Sequence, residues 1–388
     1  LACICLLSTY ASAQAKPSSS TFQSLSTQAA QARDADRLQD AIRLYQRALA
    51  LRPRWQEGWW SLGTIEYDLD HYASAARDFQ KVIALNPKNG TAHAMFGLCE
   101  FELGKDAVAL KNLLAADRLG ITNNDDLRRV SLYHLGLLQL RARRFGDAHE
   151  TLFQLAKARV RTKELFIALG QAALLIDPRQ SPGTTAEGIA ERAGEAEALS
   201  ATKDFDQAKQ IYTSLIAGYP GYPNLHFAYG RMLLEAHETD SAIQEFQREL
   251  NRDPNDVNAM LEIASVRYQV DSQDGLKYAE EAVKLAPEIP FGHYLLGLLR
   301  LDTGNAAGAI PELERAQKSF PAESKVYFSL GKAYARVGRK ADAARARAEF
   351  LRLDKQPSSE PGSNVYGEQA PGLSKSQMRT ANQGNSAQ

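Results

Sequence analysis

The chain has 388 residues, 44% hydrophobic and 24% charged, and its 46 Lys and Arg balance 46 Asp and Glu at a sequence pI near 7.2. That length allows two or three ordinary domains. Balanced charge gives no general attraction for nucleic acid or an anionic membrane, so neither is expected as a partner without a strong local patch.

The first element is apolar. "LACICLLSTYASAQA" begins on Leu1 rather than Met, stays apolar to Leu7, and then offers small residues at Ala11, Ala13 and Ala15. Residues 1–15 read as the apolar core and cleavage site of a secretory signal peptide whose charged leader lies upstream. The expected location is therefore the periplasm or the cell exterior. A lipid anchor at Cys3 is poorly supported, because apolar sequence continues past "LAC". Cleavage removes Cys3 and Cys5 and leaves Cys99, so no internal disulfide is expected. Residues 16–21, "KPSSST", read as a linker. No later run is long enough to span a membrane.

From residue 22 the chain repeats itself. Pro53 and Pro87 are 34 residues apart, as are Pro220 and Pro254, and then Pro287 and Pro321. Glycines keep the same step at Gly63 and Gly97, Gly136 and Gly170, and Gly297 and Gly331. Alanines do so at Ala41, Ala75 and Ala109, at Ala208 and Ala242, and at Ala309 and Ala343. A shared period near 34 marks a helical solenoid. In "EGWWSLGTIEYDLDHYASAARDFQKVIALNP" an aromatic leads to Leu62-Gly63, followed by Tyr72, Ala75, Phe79 and Pro87. This order resembles the tetratricopeptide repeat, and "HYLLGLLRLDTGNAAGAIPELERAQKSFP" and "VYFSLGKAYARVGRKADAARA" repeat it. The resemblance covers most of residues 22–354. It implies an all-α, right-handed solenoid of antiparallel helix pairs, a superhelix whose concave face is lined by the first helix of each pair.

The repeats fall at about 22–55, 56–89, 90–123, 129–162, 189–222, 223–256, 257–289, 290–323 and 324–354. A spacer, "NNDDL", precedes the fourth, and the seventh lacks one residue near Asp271 to Asp274. "KELFIALGQAALLI" looks like a first helix whose partner is missing, because "DPRQSPGTTAEG" cannot continue a helix. The sequence thus predicts an N-terminal sub-array over 22–176 ending in an unpaired helix, a loop insertion at 177–188, and a C-terminal sub-array over 189–354. The insertion reads equally as a hinge or as a tolerated loop. Arg347 replaces a large apolar residue in the last pair, as suits a terminal cap. Residues 355–388, rich in Pro, Gly, Ser, Gln and Asn, are expected to be a disordered tail.

Chemistry-bearing motifs are missing. "ELGKDA" lacks the rest of a phosphate loop, no Gly-x-Ser-x-Gly occurs, and "AHETD" lacks the second His of a zinc protease. His93, His226 and His293 share one slot in separate repeats, too far apart for one ion and better read as amphipathic rings. Cys99 reads as a buried small hydrophobe. The arginines of "RARRFGDA" read as a solvated helix end. No enzyme activity, cofactor or metal is expected.

The resemblance places groove-facing residues just after the aromatic slot and four, seven and eight residues on, one face of the helix. Carried onto this chain, it nominates Trp60, Tyr67, Phe101, Tyr133, Phe227, Arg231, Tyr268, Tyr294 and Phe328 as a partner-binding groove. Thr64 and Leu98 stand where some relatives carry a carboxylate clamp, so an extended apolar segment or a helix is the better ligand. The expected function is a non-enzymatic protein-interaction scaffold or assembly factor. Three alternatives are a recruiting subunit of an envelope or secretion complex, a structural self-assembling array, and a repeat-bearing glycosyltransferase, the last disfavoured because no catalytic domain follows Asp354. Of the three tryptophans, Trp59 is expected in the core, Trp60 in the groove, and Trp55 has no assigned role.

Overall fold

The computed structural model describes residues 19–180 and 184–355. The expected signal segment, the first part of the linker and the tail after Lys355 lie outside these residues. The described residues form nineteen α-helices and one short 3-10 turn, with no strand among them. They belong to two compact units, Leu1–Thr122 and Asn123–Gln388, which divide next to the predicted spacer.

The N-terminal unit holds three helix pairs: α1 (Ser19–Asp34) with α2 (Leu38–Leu51), α3 (Gln56–Asp68) with α4 (Tyr72–Leu85), and α5 (Gly90–Glu102) with α6 (Asp106–Leu119). The C-terminal unit begins with α7 (Asp125–Arg141), α8 (Phe145–Lys157), α9 (Lys163–Ala173), α10 (Thr184–Ala201) and α11 (Phe205–Gly218). It continues as the pairs α12 (Leu225–Glu235) and α13 (Thr239–Arg252), α14 (Val257–Val270) and α15 (Ser272–Leu285), α16 (Pro290–Asp302) and α17 (Ala306–Ser319), and α18 (Ser324–Arg336) and α19 (Lys340–Asp354). Each unit is an all-α solenoid of stacked pairs, the fold class expected from the period.

One contact rule builds most pairs. The glycine of a first helix faces the residue sixteen positions later in its partner. A Cβ on Gly136 would lie 2.5 Å from Leu152, and one on Gly230 would lie 2.6 Å from Phe246. Gly63 meets Phe79, Gly97 meets Leu113 and Gly297 meets Leu313 in the same way. The facing side chains Phe79, Leu113, Leu152, Phe246 and Leu313 are at most 1% exposed. Gly costs a helix about 1 kcal/mol against Ala, and burying a Leu or Phe against the bare backbone returns more than that. The alanine comb does the same on the second helices, where Ala41, Ala75, Ala109, Ala208, Ala242 and Ala309 are fully buried.

Local sequence sets the ends. Asn89, Asn124, Thr162, Asp256 and Asn305 accept a backbone N–H of the helix that each precedes. Most turns within a pair pass through one residue of positive φ, at Asp36, Asp70, Gly104, Arg143, His237, Gly304 and Gly338. The seventh repeat, one residue short, has none: α14 passes through Asp271 straight into α15, and Asp271 accepts from Asp274 N. The missing residue is the left-handed one.

The structure corrects the predicted interruption. α9 has a partner. α10 starts before Ile189 and packs tightly along α9, so that a Cβ on Gly170 would lie 1.8 Å from the Ala190 carbonyl oxygen. Reciprocally, a Cβ on Gly194 would lie 1.8 Å from the Phe166 carbonyl oxygen. Two glycines at one crossing let the backbones touch, where other pairs place a large side chain against glycine. The turn is wider, running through Leu175 at φ 55° and the 3-10 segment Pro178–Gln180. α10 then serves a second time as the first helix of α11, as expected from Ala208 and Tyr212. Three helices make here the two pairings that take four elsewhere.

Candidate partner-binding surface

In four repeats the ring in the aromatic slot ties down the turn between repeats. Trp59 Nε1 donates to the Pro53 carbonyl at 2.8 Å, and the Tyr327 hydroxyl donates to the Pro321 carbonyl at 2.9 Å. His93 Nε2 lies 3.1 Å from the Pro87 carbonyl, and His293 Nε2 lies 2.9 Å from that of Pro287. The other ring nitrogen of each histidine reaches the partner helix: His93 to Asn112 at 2.9 Å, His226 to Glu245 at 2.6 Å and His293 to Glu312 at 2.6 Å. The three histidines are spacers within their own repeats.

In the N-terminal unit Trp60, Tyr67 and Phe101 are all half-buried. Trp60 packs edge-on against Phe79 at 5.3 Å, and Tyr67 against Tyr72 at 5.4 Å. Burial pushes the Tyr67 hydroxyl up from its ordinary value, with smaller contributions from Cys99 and nearby carboxylates. Trp55, which sequence left unassigned, is structural: it lies 5.1 Å from Phe22 and 5.8 Å from Tyr45, closing the first pair. Cys99 is fully buried, and burial and Glu100 push its thiol up to about 12.

The C-terminal unit departs from the predicted row. Tyr133 and Tyr268 are half-buried and Phe328 is exposed, as a binding face requires. Phe227 and Tyr294 are core residues, 0% and 5% exposed, and Arg231 is 6% exposed. These three do not present a surface. Neighbouring helices cover them: Phe227 lies 6.0 Å from Phe246 of its own partner helix, while Tyr294 sits in one apolar cluster with Leu261 and Leu330 of the first helices on either side.

Arg231 instead joins a buried polar chain that the sequence did not reveal. His149 Nε2 lies 2.8 Å from Glu197 Oε2, and the Tyr212 hydroxyl donates to the other oxygen of Glu197. Burial alone would raise the Glu197 carboxyl, but His149, Tyr212 and Arg231 together hold it below the usual range. Arg231 Nε is 3.7 Å from Glu262 Oε1, too far for a hydrogen bond, and neither Glu262 oxygen has a hydrogen-bond partner among the described residues. Burial pushes the Glu262 carboxyl up to about 8, and the charge of Arg231 only partly offsets it. Distance explains why sequence missed the chain: Glu197 is 48 residues from His149.

A tetratricopeptide repeat model matches residues 61–124, 265–324 and 294–359, and a second model of the same repeat matches 199–263. These matches cover more than half of the sequence. The chain belongs to the tetratricopeptide repeat family. Superkiller protein 3 of Schizosaccharomyces pombe is 27% identical to this tetratricopeptide repeat protein over 153 residues, 37% of this chain and 11% of its own length. The chain thus spans about a tenth of that curated relative. Among solved structures, that of MamA is 20% identical, with a TM-score of 0.40, over 42% of this chain and 97% of MamA. Yeast Tom70 is 12% identical, with a TM-score of 0.31, over 93% of this chain and 95% of Tom70. Tetratricopeptide repeats make the chain a protein-interaction scaffold in the general sense, and members of the family are typically non-catalytic. No helix among the described residues is long and apolar enough to cross a membrane.

Proposed function

We propose that the chain is a non-enzymatic assembly factor that holds an extended or helical apolar segment of a partner protein on its first-helix faces. The observation that carries this reading is the set of half-buried rings at two register positions seven residues apart on those helices: Trp60, Tyr67 and Phe101 in the N-terminal unit, Tyr133 and Tyr268 in the C-terminal unit. Such rings offer large, rigid contact area at little entropic cost and are enriched in binding hot spots. The apolar residue Leu98 and the neutral Thr64 leave no carboxylate clamp, which favours an internal segment over a chain terminus.

The test is affinity capture from the source organism with the intact chain and with two variants, Tyr67→Ala/Phe101→Ala and Tyr133→Ala/Tyr268→Ala. Loss of a specific partner from either variant, with helicity retained, supports the reading. Retention of every partner by both variants refutes it.

The apolar segment over residues 1–15 supports a second, linked proposal: the scaffold acts after export, as the recruiting subunit of an envelope or secretion complex whose catalysis lies on another chain. N-terminal sequencing of the mature protein decides it. An N-terminus near Lys16 agrees with export, and an uncleaved leader contradicts it.

A further inference from the structure

The last helix pair differs from the others in charge and in what it leaves open. Residues 324–355 hold nine Lys or Arg against three Asp or Glu, within a chain that is neutral overall. Phe328 on α18 is 47% exposed, whereas the residues at its register in the three preceding pairs, Tyr294, Leu261 and Phe227, are 5%, 0% and 0% exposed. Those three pairs bury this position among the residues of the helices that flank it, and no helix follows α19 among the described residues. α19 carries Arg347, Phe350 and Leu351 three and four residues apart, on one face. The Phe350 ring lies 5.4 Å from that of Phe328, and Leu351 is 52% exposed. Lys332 Nζ stands 5.4 Å from the Phe328 ring centre, and the stem of Arg347 lies against Gly331. The face is therefore an apolar strip edged by cations. Asp342 engages Arg339 and Arg345, and Glu349 engages Arg352. Lys325, Lys332 and Arg347 have no ion-pair partner among the described residues.

We infer that this end face docks an acidic, amphipathic helical segment of a partner protein. Lys325 and Lys332 lie seven residues apart on α18, about 10 Å along the axis, with Phe328 between them. A partner helix with two carboxylates two turns apart and leucines between them meets both cations while covering Phe328, Phe350 and Leu351. Covering the rings excludes water from the charge pairs and strengthens them. The acids Asp342 and Glu349 break up the cations that a phosphate backbone or an anionic bilayer would need in an unbroken field, and the open rings call for apolar side chains. The inference stands apart from the rings on the earlier pairs, and either can fail alone.

The experiment uses the whole chain and a fluorescein-labelled helical peptide with Glu at positions i and i+7 and Leu at i+3 and i+4, followed by fluorescence anisotropy. Saturable binding is expected, weakened by salt and lowered at least about tenfold by Lys332→Glu, by Phe328→Ala, or by Gln in place of the peptide's Glu. Both substituted side chains are exposed, so circular dichroism should be unchanged. Equal binding of the Gln peptide, or unchanged affinity in both variants, overturns the inference. So does capture of phosphatidylglycerol vesicles or duplex DNA without the peptide, or a sedimenting dimer that Phe328→Ala dissolves. Binding that appears only after residues 356–388 are removed also overturns it, because the face would then belong to the chain's own tail.

Discussion

Replacing Gly170 with alanine tests the correction at α9 and α10. In an ordinary helix that change is stabilising by about 1 kcal/mol. Here the new Cβ would sit 1.8 Å from the Ala190 carbonyl oxygen, which is backbone and cannot rotate away. Carbon and oxygen need about 3.3 Å, so the helices must separate by about 1.5 Å. α9 has 11 residues and is about 16 Å long. Opening a contact strip about 6 Å wide by that amount along the helix creates roughly 150 Å³ of void, worth about 3 to 4 kcal/mol. Pivoting instead of translating would halve this, and the propensity gain offsets part of it, leaving a net loss of about 1 to 3 kcal/mol. Gly188→Ala is the control: it lies on α10 with nothing within 4 Å, so it should stabilise by about 1 kcal/mol. Thermal melts followed by circular dichroism should move in opposite directions. Because one displacement relieves both clashes, Gly170→Ala/Gly194→Ala should cost less than the sum of the singles. Equal stabilisation by Gly170→Ala and Gly188→Ala would refute the close crossing.

Other outcomes follow from the buried groups. Glu262 is held protonated by burial, so its folded-state pKa of about 8 lies above the ordinary value of 4.5. Its stabilising contribution is full below the ordinary value and is lost as pH rises through about 8, a loss on the order of a few kcal/mol that Glu262→Gln should abolish. A wild-type melting midpoint that tracks the variant's between pH 5 and pH 9 would contradict this. Trp59→Phe should cost about 1 kcal/mol through loss of the indole N–H bond to the Pro53 carbonyl, and Trp59→His should recover part of it. Melts of the two variants decide between them; equal losses would assign the effect to packing. Cys99, with its thiol pushed up to about 12, should resist iodoacetamide at pH 8 in the native chain and react after denaturation. Peptide mass spectrometry at that residue gives the answer.

The parts of the fold legible in sequence are those that recur. A 34-residue period exposes Gly63 and Phe79, or Gly230 and Phe246, as slots even though neither residue alone means anything. α9 escaped because its partner is offset: sixteen residues after Gly170 comes Ala186, in the first turn of α10, while the residue that matters is Gly194. Gly194 stood in "ERAGEAEALS" as an isolated glycine in a helical pattern, the one available signal of a close approach. The groove was half legible. Register places Phe227 and Tyr268 on the same face, but burial depends on how closely the next first helix approaches, and that distance is set by the side chains of both helices. The buried chain from His149 to Glu262 was illegible, because its members come from five helices and no single repeat position brings them together.

The tie between the aromatic slot and the proline carbonyl has a consequence for how this chain can change. What the slot selects is a hydrogen at the far tip of a side chain of a given reach, and indole, imidazole and phenol all supply it. Trp59, His93, His293 and Tyr327 are then synonyms, and mutation can pass among them with the turn kept intact. Met260 is the word that does not translate: a thioether has no hydrogen to give, so it cannot tie down the Pro254 carbonyl. The seventh repeat, whose inner turn has also lost its left-handed residue, thus forgoes two of the local ties that hold the eighth pair.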